Sequence, residues 1–171
     1  MQQLKTLIHS GINIDQGTQF TRLTARAIVI KNNKILLMYT NRYEDYSLPG
    51  GGVDDGESIE QGLIRELSEE TGAQQISVVK AFGLYEEYRP WYKDDFDIIH
   101  IKSYCFVCSI ADEFGKAQLE HYEQQNGMTA KWVDINDAIA HNERTLANSE
   151  KQGLSLLRET YLLKKIAKQL F

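Results

Sequence analysis

Apolar and polar positions alternate from Arg22 and then run apolar to Ile30, and a second apolar run covers Ile35-Leu36-Leu37-Met38-Tyr39. Between them stands Lys31-Asn32-Asn33-Lys34, so the pattern predicts a β-hairpin with an Asn-centred turn. The stretch Ser47-Leu48-Pro49-Gly50-Gly51-Gly52-Val53-Asp54-Asp55-Gly56 then supplies one proline, four glycines and two aspartates, which is loop chemistry. Ser58 followed by Gln61 makes a capping-box pattern, and Gly72 is a C-terminal stop, so a helix is predicted between Ser58 and Gly72. Within it Ile59, Leu63 and Leu67 form one apolar stripe for docking on a core.

Further along, 76–88 and 97–110 read as strands joined by the polar, aromatic stretch Arg89-Pro90-Trp91-Tyr92-Lys93-Asp94-Asp95, and Thr129–Val133 as a short strand. The segments 135–141 and 149–170 read as helices. The long C-terminal one carries Leu154, Leu157, Tyr161, Leu162 and Ile166 at helical spacing and Lys164, Lys165 and Lys168 near its end, where positive charge suits the helix dipole. Core docking is the first use of that apolar face and a homodimer contact the second. Strands before, between and after helices indicate an α/β sandwich with a mixed β-sheet, and with no repeat or linker in view residues 1–171 are expected to form one domain.

The composition, 42% apolar and 25% charged over 171 residues, is that of an ordinary globular chain long enough to need no disulfide or metal staple. A net charge of −5 argues against broad electrostatic binding to nucleic acid. No apolar run is long enough to cross a membrane and the N-terminus has no signal-peptide pattern, so a cytoplasmic protein without membrane or nucleic-acid partners is expected. Cys105 and Cys108 are spaced as Cys-x-x-Cys, but in a β-branched, aromatic run that reads as a strand. Residues three apart on a strand point to opposite faces, and no second ligand pair accompanies them, so two packed cysteines are expected.

The chemistry concentrates in Arg65-Glu66-Leu67-Ser68-Glu69-Glu70-Thr71-Gly72. On a helix Glu66, Glu69 and Glu70 share one arc of about 100°. Like charges that close destabilise a helix unless a cation lies among them, and a hard divalent ion such as Mg²⁺ or Mn²⁺ is the natural partner of carboxylate oxygens. A solvated helix face is the alternative for an isolated Glu-x-x-Glu-Glu. Here a glycine-rich loop precedes the carboxylates, and its backbone can approach a phosphate or turn a carbonyl to a metal.

The spacing Gly51, five residues, Glu57, seven residues, Arg65-Glu66-Leu67-Ser68-Glu69-Glu70-Thr71-Gly72-Ala73 resembles the Nudix box of the Nudix hydrolase family at every fixed position. The resemblance covers Gly51 to Ala73, with Ser47-Leu48-Pro49-Gly50 resembling the family's usual entry. It implies a Nudix-type α/β/α sandwich and hydrolysis, dependent on Mg²⁺ or Mn²⁺, of a diphosphate linkage in a small nucleoside diphosphate derivative. By the family pattern Glu66, Glu69 and Glu70 bind the ions and the Gly51 carbonyl adds a ligand. Arg65 orients the carboxylates, Glu57 braces the loop or pairs with Arg65, and Glu66 or Glu69 takes the proton from the attacking water. Catalytic roles thus fall to Arg65, Glu66 and Glu69, with Gly72 closing the helix.

Outside the box, Glu120 and Glu123 lie where some family members carry an extra base or metal ligand; the other reading makes them surface charges. Arg26 stands where the family often places a substrate-contacting arginine, and Tyr88, with Tyr85, Trp91 and Tyr92, offers aromatic faces to a base. His100 and His121 read as packed or loop residues. Nucleoside triphosphates, ADP-ribose and nucleotide sugars all remain open as substrates. A non-catalytic Nudix-like module that binds a nucleotide and regulates a partner is the alternative function, against which the full Arg65, Glu66, Glu69 and Glu70 set weighs. A diphosphate-lipid isomerase ranks below both.

Overall fold

The computed structural model describes residues 1–171. Its elements are β1 (Gln3–Ile8), β2 (Gln19–Lys31), β3 (Lys34–Thr40), β4 (Asp45–Ser47), α1 (Ile59–Thr71), β5 (Ser77–Pro90), β6 (Ile98–Ser109), α2 (His121–Gln125), β7 (Met128–Val133), α3 (Ile135–Asn148) and α4 (Leu156–Leu170). The sheet is mixed, in the order β1-β5-β6-β2-β3-β4, with β7 on β3. Strands β1 and β5 are parallel, as are β2 and β6, while β5 and β6 run antiparallel.

The hairpin of β2 and β3 turns at Asn32 and Asn33, both at positive φ (50° and 58°), the conformation a two-residue I′ turn demands and asparagine tolerates. It differs from a regular hairpin in one way. The strands pair only at the tip, Ile30 with Ile35 and Lys31 with Lys34, and then part. Beyond the tip β2 bonds instead to the glycine loop: Ala27 N donates to Pro49 O, Ala25 N to Gly51 O, and Val53 N to Leu23 O. Backbone groups freed by the splay are thereby satisfied.

Helix α1 begins and ends where its caps direct. The Gln61 amide donates to Ser58 Oγ, the Ser58 amide donates back to Gln61 Oε1, and Gly72 closes the helix at φ 77°. A side chain at Gly72 would meet the Gly115 carbonyl, so this turn also admits the next segment. Leu63 and Leu67 are wholly buried against Ala25, Ala27, Val29, Leu36 and Phe106 on one face of the sheet. The other face packs Ile28, Ile35, Leu37, Leu48 and Tyr85 against Ile135 and Ala138 of α3 and Leu162, Leu163 and Ile166 of α4. Cys105 belongs to this second core and Cys108 to the first, both free thiols, as opposite faces of one strand require.

At the C-terminal end the structure departs from the expected helices. Helix α3 continues to Asn148 and the chain then turns, so α4 starts at Leu156 rather than 149. Its buried stripe is accordingly rotated: Leu156, Leu162, Leu163 and Ile166 are inside, whereas Leu154 lies before the helix and Leu154 and Leu157 are exposed. Strands β1 and β4 and helix α2 are short elements that the hydrophobic pattern did not announce. No helix is long and apolar enough to cross a membrane.

Candidate active site

The glycine loop lies along β2 and passes over α1, with Gly50 beside Glu70, Gly51 beside Glu66 and Val53 beside Gly62. Its backbone conformation explains its composition. Gly50 has φ 127°, and a Cβ there would stand 2.1 Å from the Ala25 carbonyl oxygen; a Cβ on Gly51 would stand 2.5 Å from Glu66 Oε2. Only residues without side chains allow this approach. The Gly50 amide donates to Glu70 Oε2 at 2.6 Å, and the Gly50 carbonyl accepts from Arg26 Nη1.

Glu66 and Glu70, one helical turn apart, are joined by Glu123 from α2, with one oxygen of each carboxylate within 4.8 Å of the others. Glu70 and Glu123 are buried and Glu66 is 14% exposed. Burial, with Glu123 and Glu66 nearby and only partly offset by the Gly50 amide and Arg26, pushes Glu70 up to about 8. Burial also raises Glu66, against the pull of Arg65. Glu123 is anchored by its neighbours, accepting from the Glu120 amide at 2.8 Å and the Tyr122 hydroxyl at 3.0 Å. Three carboxylates this close, in partial burial, need protons or a cation, and an all-oxygen donor set matches a hard divalent ion. Glu69 stands outside the trio, 40% exposed and 3.3 Å from Arg65 Nη1.

Arg65 is the hub that orders this end of the helix. It donates from Nε and Nη2 to the two oxygens of Glu57 (2.8 and 3.0 Å), from Nη1 to Glu66 (2.9 Å), and from Nη2 to the Gly52 carbonyl (3.0 Å). The bidentate pair with Arg65, supported by the Asp54 amide, holds Glu57 down at about 2. Glu57 thus both pairs with Arg65 and closes the loop.

A second network reaches the loop from α4. Arg158 donates to Glu159 from Nε and Nη2 and to Glu87 of β5 from Nη1, and Glu159 Oε2 accepts the Leu48 amide at 3.0 Å. All three charged groups are buried. Asp45 lies against them, pushed up to about 6 by burial first and Glu159 second. Arg26 is half-buried here, desolvation and the nearby Arg158 lower its pKa, and its Nε has no partner.

These elements enclose a cavity of about 420 Å³, whose wall includes Gly50, Gly51, Glu66, Glu70, Glu120 and Glu123. Arg26 and Arg65 line it as well, so the structure brings most of the residues singled out from sequence to one place. Tyr88 is not among them: it faces away from the cavity and stacks on His100, ring centroids 4.0 Å apart. That side of β5 is occupied by His100, itself bonded to Glu86 at 2.7 Å. Tyr85 is core and Tyr92 exposed, whereas Tyr43 and Tyr122 are the aromatic residues of the cavity wall. Sequence reading missed Asp45, Arg22, Arg89, Arg158 and Glu159. Glu159 carried a signal, a carboxylate in register with Leu162, Leu163 and Ile166 on a buried stripe.

Residues 21–157 match the sequence profile of the NUDIX domain. An RNA pyrophosphohydrolase of Vibrio cholerae is 51% identical over 53 residues, 30% of this chain and 31% of that protein. An ADP-ribose pyrophosphatase of Methanocaldococcus jannaschii is 46% identical over 89 residues, 50% of this chain and 45% of that protein. The chain therefore matches less than half the length of these curated relatives. Among solved structures, a NUDIX hydrolase from Nitrosomonas europaea superposes with a TM-score of 0.57 at 19% identity, covering 87% of this chain and 91% of that one, a likeness of fold.

Proposed function

This chain belongs to the NUDIX domain family, and on that premise we propose that it is a divalent-cation-dependent pyrophosphohydrolase acting on a nucleoside diphosphate derivative. The observation that carries the proposal is the trio Glu66, Glu70 and Glu123, gathered from two helices beside a glycine loop in one polar cavity. These three would hold Mg²⁺ or Mn²⁺, with Glu69 on the outer side, whereas the Gly51 carbonyl, a ligand by the family pattern, accepts the Ala25 amide. Bound there, the cation supplies charge neutralisation for the phosphates and a more acidic water.

The chain's own groups account for the remainder. Arg65 fixes the carboxylate of Glu66 by a 2.9 Å bond and so sets the trio's geometry. Glu66 or Glu69, both held on Arg65 Nη1, would take the proton from the attacking water. Arg26 faces the glycine loop from β2, where it meets phosphate charge without metal. Tyr43 and Tyr122 provide aromatic surface for a base. The two reduced, buried thiols suit the cytoplasm.

The test is release of phosphate and nucleoside monophosphate from a panel of dNTPs, oxidised dNTPs, ADP-ribose, dinucleoside polyphosphates and nucleotide sugars, with Mg²⁺ or Mn²⁺ and with Glu70→Gln alongside. Metal-dependent turnover of one class, lost in the variant, is expected. Binding across the panel without any product would replace the hydrolase with a nucleotide-binding regulatory module.

A further inference from the structure

Five arginines line the cavity, and they fall into two kinds. Arg65 and Arg158 are fully engaged with carboxylates, and Arg26 bonds the Gly50 carbonyl. Arg22 and Arg89 make no side-chain hydrogen bond and no ion pair. They nevertheless face the same space. Arg22 and Arg26 alternate on one side of β2; Arg22 is paired through Ile101 of β6 with Glu87 of β5, and Arg89 is two residues beyond Glu87 on the same side.

Both positions are built. Arg22 Nη2 stands 2.9 Å from where a Cβ on Gly52 would be, so its guanidinium occupies the room that the glycine leaves and touches the loop that would carry the reacting diphosphate. Arg89 is half-buried, and the carboxylate nearest to it, Glu87, is taken by Arg158 and His9. Burial lowers its pKa, and its other charged neighbours are Arg158, Arg26 and Arg22. Two like-charged guanidiniums, Arg89 half-buried and Arg22 exposed at the cavity mouth, with no anion of their own, gain from a ligand that supplies one.

Resting on the hydrolase reading above, we infer that Arg22 and Arg89 form a subsite for a phosphate group beyond the cleaved diphosphate, so that the favoured substrate carries an additional phosphate. The forked guanidinium matches phosphate oxygens in pairs. Arg26 and the carboxylate trio face the glycine loop at Gly50 and Gly51, Arg22 meets it at Gly52, and Arg89 lies farther out along the sheet, two strands across and two residues along from Arg22, about 12 Å at the backbone. The extra phosphate is either the third of a triphosphate or a monoester on the distal group.

Binding of inorganic tripolyphosphate and pyrophosphate, each with Mg²⁺, to the full chain by calorimetry tests this without turnover. Tripolyphosphate should bind the wild type at least about tenfold tighter, and Arg22→Gln or Arg89→Gln should shrink that ratio to within about threefold. Arg22 is exposed, so its variant keeps the fold even where the other does not. In turnover, the KM for a phosphate-bearing substrate should rise at least about tenfold, several times more than that for ADP-ribose. A nucleoside triphosphate and a diphosphate phosphorylated on its distal sugar separate the two sources. Equal affinity for the two polyphosphates would exclude the third phosphate of a triphosphate, and equal losses on all substrates, the distally phosphorylated one included, would overturn the subsite. Selective polyphosphate binding with no turnover of any substrate would instead remove the hydrolase reading and leave the subsite standing.

Discussion

Glu159 Oε2 on α4 accepts the amide hydrogen of Leu48, 3.0 Å away, and so ties the last helix to the residue that leads into Pro49-Gly50-Gly51. The other oxygen of Glu159 is held by Arg158 at 2.9 and 2.8 Å. The pair lies just past the segment that matches the NUDIX domain, yet it fixes the start of the loop on which the cavity is built. Glu159→Ala leaves a buried amide unpaired and Arg158 with one partner fewer. It should lower stability by about 3 kcal/mol in urea unfolding and reduce turnover in the folded fraction.

Glu70→Gln keeps an oxygen for the Gly50 amide and removes a carboxylate from the trio. Turnover should fall by about two orders of magnitude or more. The wild type should gain thermal stability with millimolar Mg²⁺ and the variant should not, read as Tm with and without the ion. An equal gain in both would remove Glu70 from the cation site.

Asp45 titrates near 6 in the folded chain against an ordinary 3.8, because it is buried beside Glu159, with Arg158 and the Thr40 hydroxyl only partly offsetting this. Below about pH 4 both folded and unfolded forms are protonated and the group costs nothing. Between about pH 4 and 6 the unfolded chain gives up this proton while the folded protein keeps it, so stability is lost across that window and the loss is complete above it. Asp45→Asn should match the wild type at low pH and exceed it by roughly 2 to 3 kcal/mol at pH 8. Urea midpoints at the two pH values check this.

Leu63 is wholly buried between α1 and the sheet, and Leu157 is 48% exposed on α4. Leu63→Ala should cost about 2 to 5 kcal/mol, and Leu157→Ala no more than about 0.5. Loss of a comparable amount at Leu157 would show that this face is covered in solution.

Cys105 and Cys108 are both pushed up to about 12 by burial, Cys105 also by Glu159 and Cys108 by Glu60. Neither should react quickly with Ellman's reagent at pH 8 until denaturant is added, when two thiols per chain should appear.

Much of α1 and its surroundings was legible in the chain because local signals decide it: the Ser58 and Gln61 pair, Gly72, and an apolar stripe ending in Leu67 all agree. Asn32 and Asn33 likewise announce their own turn. What stayed hidden was set by distant partners. Nothing local separates Glu123, which enters the carboxylate trio, from Glu120, which remains exposed, and nothing near Arg22 or Arg89 reveals that neither has a counter-ion. The start of α4 was misplaced because 149–155 contains no proline and only one glycine, Gly153, so the turn rests on tertiary contacts such as Ser149 with Glu44.

The lock on Leu48 also orders events in time. On the ribosome the glycine loop and the carboxylate helix are made well before Arg158 and Glu159, so the nascent chain can bond the loop to β2 while the Leu48 amide still lacks its partner. Contacts this far apart in sequence form slowly. The tie between Leu48 and Glu159 therefore closes only after α4 has been made and docked.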